Sequence, residues 1–343
     1  MTVLFYVSYP LGWARGGHAI QIFETQRALQ KYGIDVHWLH HEDEEPVDAQ
    51  IIHYWGRPPN DFHWQLARQR GLGLVISELH QTNVLRPRWT WPLRGAFATP
   101  LRLIMGRGLY ASLGAEIYPN CDSAVAISQI EADYMRTVFK SPENRTHVIP
   151  NGVDPVFMDS TVPPDVFDGL VCVAFVCERK NNLELAHAAK VAKVPVRFVG
   201  PPLLPGSNYA RTFAGEVDGR FVTWTGESAT PRQIASILRG ARGLVLASEN
   251  EGLPLVVLEA IAAGTPVLLS DLKNMRSIFG ASVTYCPPAD VSNFSGHLKQ
   301  FWQKVRTHKV APLFEVLDWQ EVGRRYAGLY RQILSEKATT SVR

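Results

Sequence analysis

The chain has 343 residues, 46% hydrophobic and 20% charged, an ordinary globular composition with length enough for two domains. A net charge of +3 is too small to point to a nucleic-acid partner. The four cysteines, Cys121, Cys172, Cys177 and Cys286, form no C-x-x-C pair, so neither a zinc ribbon nor a redox motif is indicated, and no apolar run approaches the ~18 residues of a membrane span.

The N-terminus runs almost at once into a strand pattern, Val3–Val7, with no basic stretch or cleavage site before it, which predicts no signal peptide and a cytoplasmic chain. Gly16 and Gly17 follow, then a helical pattern over Ile20–Tyr32. Glycine there permits close backbone approach to a phosphate or sugar. Further strands are expected at Val36–Leu39, Ala49–Tyr54, Gly73–Ser77, Ala124–Ile127 and His147–Ile149, with helical patterns between them and therefore a parallel sheet. His37, His40, His41 and His53 lie in this half, but no carboxylate completes a metal pattern, and they read as strand-edge and loop residues. His80 follows the strand Gly73–Ser77.

Between Leu79 and Ala115 stand Arg86, Arg88, Arg94, Arg102 and Arg107, with no acidic residue, interleaved with Trp89, Trp91, Phe97, Leu101, Leu103, Ile104 and Met105. That mixture suits either an anionic membrane surface or an ordinary basic helix whose apolar side faces the core. Pro155, Pro163, Pro164, Asp165 and Gly169 mark a linker. The second half restarts with a strand, Leu170–Val176. Arg179 and Lys180 follow, two cations at a strand exit, placed to neutralise a diphosphate leaving group. A helix over Leu183–Ala192, strands Val196–Val199 and Phe221–Trp224 and a helix Pro231–Arg239 come next.

The densest signal is Ser248–Asp271, SENEGLPLVVLEAIAAGTPVLLSD. The apolar run Gly243–Ser248 reads as a buried strand, Glu249–Gly252 as a loop, Pro254 as the start of a helix, Leu255–Ala263 as its body, Gly264 as its stop and Val267–Ser270 as the next strand. Ligands of open α/β sheets sit at the carboxyl ends of the strands, and a helix N-terminus there favours a phosphate. Glu251 lies in the loop and Glu259 on the helix. Each carboxylate can accept two bonds from a vicinal diol, so one suits a ribose and the other a sugar. The tail, Asp318–Leu334, carries Trp319, Val322, Tyr326, Leu329, Tyr330 and Ile333 at helical spacing.

The E-G-L-P-L-V-V-L-E-A block followed by G-T-P-V closely resembles the E-x7-E motif of retaining GT-B glycosyltransferases, in particular glycosyltransferase family 4. Gly16–Gly17 with its helix and Gly33-Ile34-Asp35-Val36, then Val125–Ser128 with Val148-Ile149-Pro150-Asn151-Gly152-Val153-Asp154, then Glu178–Asn181, agree with the same family in the same order. The resemblance implies two Rossmann-like domains with an interdomain cleft: an acceptor domain over residues 1–164, a nucleotide-sugar donor domain over 165–317, and a C-terminal helix over 318–343 crossing back to the first domain. It implies transfer of a hexosyl group from a nucleotide diphosphate sugar to a hydroxyl acceptor with retention, without a metal or other cofactor. Among site residues it implies Glu259 on the ribose, Glu251 with Gly252 and Leu253 on the donor, Lys180 and Arg179 on the diphosphate, Gly16 and Gly17 at the glycine loop, and His80 near the reacting sugar. Glu251, His80, Lys180 and Arg179 are the expected catalytic set. The expected partners are the donor, a sugar or lipid-linked acceptor, and an anionic membrane surface at residues 86–107. The sequence departs from the family in one place: the spacer between the arginine and Lys-Asn is missing, and Arg179 abuts Lys180. A retaining glycosidase also uses two carboxylates, but it gives the basic turn no role. A nucleotide-sugar epimerase or hydrolase of the same fold, and a non-catalytic binding subunit, are the alternative readings.

Overall fold

The computed structural model describes residues 1–13, 16–39, 47–94, 96, 116–287, 291–305 and 314–341. They divide into two compact units, Met1–Asn151 with Trp319–Arg343, and Gly152–Asp318.

Unit 1 is built on a six-stranded parallel sheet: β1 Thr2–Tyr6, β2 Asp35–Trp38, β3 Ile51–Trp55, β4 Gly73–Ser77, β5 Ser123–Ala126 and β6 Thr146–Val148. Its order is β2-β1-β3-β4-β5-β6. Every residue of β3 and β4 is buried, as expected where helices cover both faces of a parallel sheet. The described helices of this unit are α1 Gly17–Gln30, α2 Asp61–Gln69, α3 Gln81–Val84, α4 Ile117–Asn120 and α5 Gln129–Phe139. Asn60 caps α2 by accepting from the His63 amide at 3.0 Å. Unit 2 carries the two-residue strand β7 Gly152–Val153, then β8 Phe167–Val173, helix α6 Asn182–Ala192, β9 Val196–Val199, α7 Asn208–Gly215, β10 Val222–Trp224, α8 Pro231–Gly240, β11 Ala241–Leu246, α9 Leu255–Ala262, β12 Val267–Ser270, α10 Lys273–Phe279, β13 Thr284–Cys286, α11 Val291–Lys304 and β14 Leu317–Asp318. Its main sheet is also parallel, in the order β10-β9-β8-β11-β12-β13. Helix α12, Trp319–Ser341, belongs to unit 1, where it packs along α1.

The predicted strands recur within a few residues, and Gly73–Ser77, Val196–Val199 and Val267–Ser270 recur at the predicted bounds. The division between units falls at Asn151/Gly152 instead of near Pro164. The proline-bearing segment packs on unit 2: Val153 pairs with Asp318, Phe157 is buried, Arg239 donates to the Phe157 carbonyl at 3.0 Å and Ser236 to the Pro163 carbonyl at 2.6 Å. β8 already begins at Phe167, so the end of the expected linker is strand. Pro254 is the residue before α9 and not its first, and Gly264, at φ +73°, ends that helix turn in the left-handed region.

Candidate active site

Both sheets place their candidate loops at switch points. In unit 2 the order changes direction between β8 and β11, which are paired through Gly243↔Leu170 and Leu244↔Val171. A strand exit on each side of such a point leaves a crevice at the carboxyl ends. The exit of β8 leads into the turn Glu178–Lys180, and the exit of β11 into the loop carrying Glu251.

Backbone and amide contacts stitch these two loops together. Asn181 adopts the left-handed conformation (φ +50°, ψ +40°), which Asn tolerates better than most residues. This aims its side chain at the exit of β11, where it donates to the Ala247 carbonyl at 3.0 Å. The Glu249 amide donates to the Arg179 carbonyl at 3.0 Å, and Arg179 Nη1 to the Asn250 carbonyl at 3.1 Å. Asn182 Oδ1 accepts from the Cys177 amide at 3.0 Å and fixes the start of the turn.

The result brings Glu251, Lys180 and Arg179 to one point. Lys180 Nζ pairs with Glu251 Oε1, and Arg179 Nη1 lies 3.7 Å from Oε2. The Glu251 and Lys180 side chains are only 10% and 12% exposed, so this is a buried pair whose members satisfy one another. Asn274, buried on α10, donates to the Glu251 carbonyl and holds the loop from the far side. Gly252 and Leu253 are buried beneath it. Ser248 Oγ and Asn274 Oδ1 are buried here with no hydrogen-bond partner among the described residues. Such groups cost stability unless something else bonds them.

Glu259 lies further along α9. Burial pushes its carboxyl up to about 8, and the charge of Asp154 adds to the shift. Asp154, at the exit of β7, accepts from the Val156 amide at 2.9 Å. At neutral pH Glu259 therefore holds a proton and can donate as well as accept.

Unit 1 changes direction between β1 and β3. Gly16 caps α1 in an extended conformation (φ −79°, ψ −178°), its carbonyl accepting from the Ile20 amide, and Gly17 opens the helix. Neither position needs a left-handed backbone, so their use is absence of bulk at a helix N-terminus. His18 pairs with Tyr9, and burial lowers it to about 4.

His80, in the loop three residues past the end of β4, is fully buried. Its Nε2 lies 3.0 Å from Tyr118 Oη and its backbone amide donates to Glu131 Oε1 at 3.0 Å. Tyr118 donates to Glu78, which Arg57 Nε also holds at 2.9 and 2.8 Å. Sequence reasoning named His80 but not Arg57, Glu78, Tyr118 and Glu131, which bond to it or to one another around it. One signal was available: Ser128-x-x-Glu131 has capping-box spacing at the start of α5. Glu131 uses it differently, accepting from the Ile127 amide at 3.3 Å and from His80, while Ser128 makes no side-chain cap.

Two other expectations change. His53 is not a strand-edge residue: it is fully buried, bonded through Nδ1 to Tyr330 at 2.6 Å and through Nε2 to Ser77 at 2.8 Å. Burial lowers it to about 3. His37 pairs with Asp35 at the surface, and His40 and His41 lie outside the described residues. In the basic-aromatic segment Trp91 is buried against Tyr134, with Arg88 over its ring, whereas Trp89 is 72% exposed. Phe97, Leu101, Arg102, Leu103, Ile104, Met105 and Arg107 lie outside the described residues.

Residues 15–157 match the family described as Glycosyltransferase Family 4, and residues 169–304 match the family described as Glycosyl transferases group 1. Similar solved structures include sucrose-phosphate synthase from Thermosynechococcus elongatus (TM-score 0.72, 16% identity, covering 98% of this chain and 100% of that one). A glycosyltransferase from Rickettsia africae ESF-5 is similar at a TM-score of 0.64 and 14% identity, over 97% and 98% of the two chains. Anabaena Alr3699/HepE, solved in complex with UDP-glucose, is similar at 0.62 and 15% identity, over 99% and 100%. No curated protein sequence matches the chain.

Proposed function

From the premise that this chain is a GT4-type glycosyltransferase of the GT-B fold, we propose that it moves a hexosyl group from a nucleotide diphosphate sugar to a hydroxyl acceptor, with retention. One observation carries the site: the basic turn after β8 closes on the acidic loop after β11, at the switch point of the unit-2 sheet. In this reading Lys180 and Arg179 exchange Glu251 for the diphosphate. The exchange frees the Glu251 carboxylate to accept bonds from donor-sugar hydroxyls, with Gly252 and Leu253 forming the floor. Cations at the diphosphate stabilise the charge that develops there as the glycosidic bond breaks, which makes them the main electrostatic aid to the reaction. Glu259 bonds the ribose, its proton making it donor to one hydroxyl and acceptor from the other. Gly16 and Gly17 let the ligand approach the start of α1, and His80 serves the reacting sugar. Anabaena HepE, solved with UDP and with UDP-glucose, supports a nucleotide sugar as the donor class.

Thermal-shift titration with UDP, GDP, ADP and their sugar conjugates, with and without magnesium, tests this reading. A ligand that binds only the folded chain raises Tm by mass action. One nucleotide raises Tm selectively, and Lys180→Ala loses most of that rise and at least about a hundredfold in turnover, in line with the ~3 kcal/mol of one preorganised charge contact. A flat response to every nucleotide refutes it.

We also propose peripheral binding to anionic lipid through the described part of the basic segment. Arg86 and Trp89 are exposed there, and Leu93 is 48% exposed. Sedimentation with phosphatidylglycerol vesicles should fall by several-fold in Arg86→Glu/Trp89→Glu, and equal, negligible binding by both proteins would sink this part.

A further inference from the structure

Helix α10 is short, and its neighbours fix it firmly. Asp271, just before it, accepts from Arg276 Nη2 at 2.7 Å and also from Nε. The bonds from Arg276 hold the Asp271 carboxyl below the ordinary range, so it is ionised and can only accept. The same guanidinium lies 4.6 Å from the centre of the Tyr285 ring on β13. Tyr285 Oη lies 3.1 and 3.0 Å from the Met275 and Gly280 carbonyls, and the Asp271 amide donates to the Cys286 carbonyl at 2.7 Å. Met275 and Phe279 are buried in the core. Asn274 therefore stands on a firm support. It is 1% exposed, and its Nδ2 donates to the Glu251 carbonyl.

Residue 251 is thus held from two sides by ties of different chemistry. From the turn after β8, Lys180 pairs with the carboxylate, and Arg179 lies 3.7 Å from it and bonds the Asn250 carbonyl at 3.1 Å. From α10, a neutral amide bonds the backbone. An anion distinguishes the two. Cations exchange a carboxylate for a phosphate readily, because both are charged acceptors. An amide already bonded to a carbonyl gains nothing from the exchange. When Lys180 and Arg179 turn to a diphosphate, the Glu251 carboxylate loses its counter-charges and faces a like charge that pushes it away. Of the three side chains that hold residue 251 among the described residues, Asn274 alone then remains.

We infer that Asn274 is a positioning residue: it anchors Glu251 once the basic turn has released it, and so keeps the freed carboxylate in place for the reaction. This rests on the exchange of Glu251 for the diphosphate proposed above. Asn274 acts through the backbone of residue 251 and not on the ligand. The device lies wholly within unit 2, with Lys180, Arg179 and Glu251.

Hydrogen exchange of the full-length chain, read by mass spectrometry over residues 248–253, tests the anchor without any ligand. Its reporter is the Glu249 amide, whose acceptor, the Arg179 carbonyl, survives side-chain substitution. Lys180→Ala/Arg179→Ala removes both cations from Glu251, as a diphosphate would. In that background Asn274→Ala should speed exchange at least about tenfold, but in the wild-type background, where the cations still hold, less than about threefold. Equal acceleration in both backgrounds overturns the anchor. A second arm follows release of nucleoside diphosphate from UDP-glucose, GDP-mannose and ADP-glucose. In Asn274→Ala kcat should fall about tenfold with KM within about twofold, since the diphosphate stays on its cations. In Glu251→Ala the same change should alter kcat by less than about twofold, because the anchor has nothing left to hold. Losses that simply add show a general structural role and overturn the proposal. Asn274→Asp keeps the size and serves if the alanine variant fails to fold. Its buried carboxyl can donate to the Glu251 carbonyl only while protonated, so its kcat relative to wild type should rise as pH falls. That ratio cancels the titration of Asp271, Arg276, Tyr285, Glu251, Lys180 and Arg179, which both proteins share, and a flat ratio overturns the proposal. Exchange as expected with kcat unmoved overturns the positioning role, and with it Glu251 at the donor. Failure to turn over any of the three sugars strikes the donor reading, while exchange still decides the anchor.

Discussion

Glu131 shows burial and hydrogen bonding pulling one carboxyl in opposite directions. It is 1% exposed and accepts two backbone amides, from His80 and Ile127, yet no cation forms an ion pair with it among the described residues. Burial wins and raises it to about 7, from an ordinary value of 4.5, with the Glu78 charge adding a little. The folded chain thus holds a proton that the unfolded chain releases between these values. Stability from this group is full below pH 4.5 and is lost as pH rises through about 7. A gap of this size corresponds to about 3 kcal/mol at most. Glu131→Gln removes the titration, so wild type should lose about 2 kcal/mol relative to this variant between pH 5 and pH 7.5. Urea unfolding of both proteins at the two pH values measures the difference, and parallel behaviour would refute the assignment. Residues of this kind were hard to read in the sequence. Glu251, Lys180 and Arg179 stand in local motifs beside strand exits, and their meeting follows from the topology. Glu78, Tyr118 and Glu131 owe their role to contacts 40 and 51 residues apart in the chain, which no spacing rule reaches.

Helix α12 shows the same contrast among the elements. Its apolar spacing was legible, and Trp319, Val322, Tyr326, Leu329, Tyr330 and Ile333 are all buried. What the spacing could not show is the polar cluster it completes. Tyr330 bonds His53 at 2.6 Å, and Tyr326 lies 3.3 Å from Ser77, so a mostly apolar helix face also satisfies polar atoms of β3 and β4. Gly323 sets how closely this helix lies on α1. A β-carbon there would stand 2.6 Å from Ala28 Cβ and 2.9 Å from the Ala28 carbonyl carbon. Alanine normally favours a helix over glycine by ~1 kcal/mol. Here the overlap involves backbone that cannot turn aside, and overpacking costs ~1–3 kcal/mol. Gly323→Ala should therefore lower stability by about 1 kcal/mol, visible as a lower Tm. A rise in Tm would show that α12 shifts freely.

In the molecule as a whole, the sequence exposed the alternation of strands and helices but not the order of the strands. Alternation is local, written in runs such as Gly73–Ser77 and Val267–Ser270 with helical patterns between. Order depends on which edge each new strand joins, a choice made by long-range packing. Both sheets make that choice with a reversal: unit 1 reverses between β1 and β3, and unit 2 between β8 and β11. The reversals give Gly16, Arg179, Lys180 and Glu251 their setting at strand exits. Tight turn chemistry then refines the site, as Asn181 does with a left-handed backbone and one bond to Ala247.

The interrupted path of unit 1 bears on how the chain is made. Its sheet leaves the ribosome first, but α12, which supplies Tyr330 to His53 and covers α1, follows only after all of unit 2 has been synthesised. At ~5–20 residues per second that delay is roughly 10–30 s. Unit 2 is contiguous and can fold as it emerges. The first sheet cannot complete its packing until α12 arrives, so unit 1 can finish folding only after unit 2 has been synthesised.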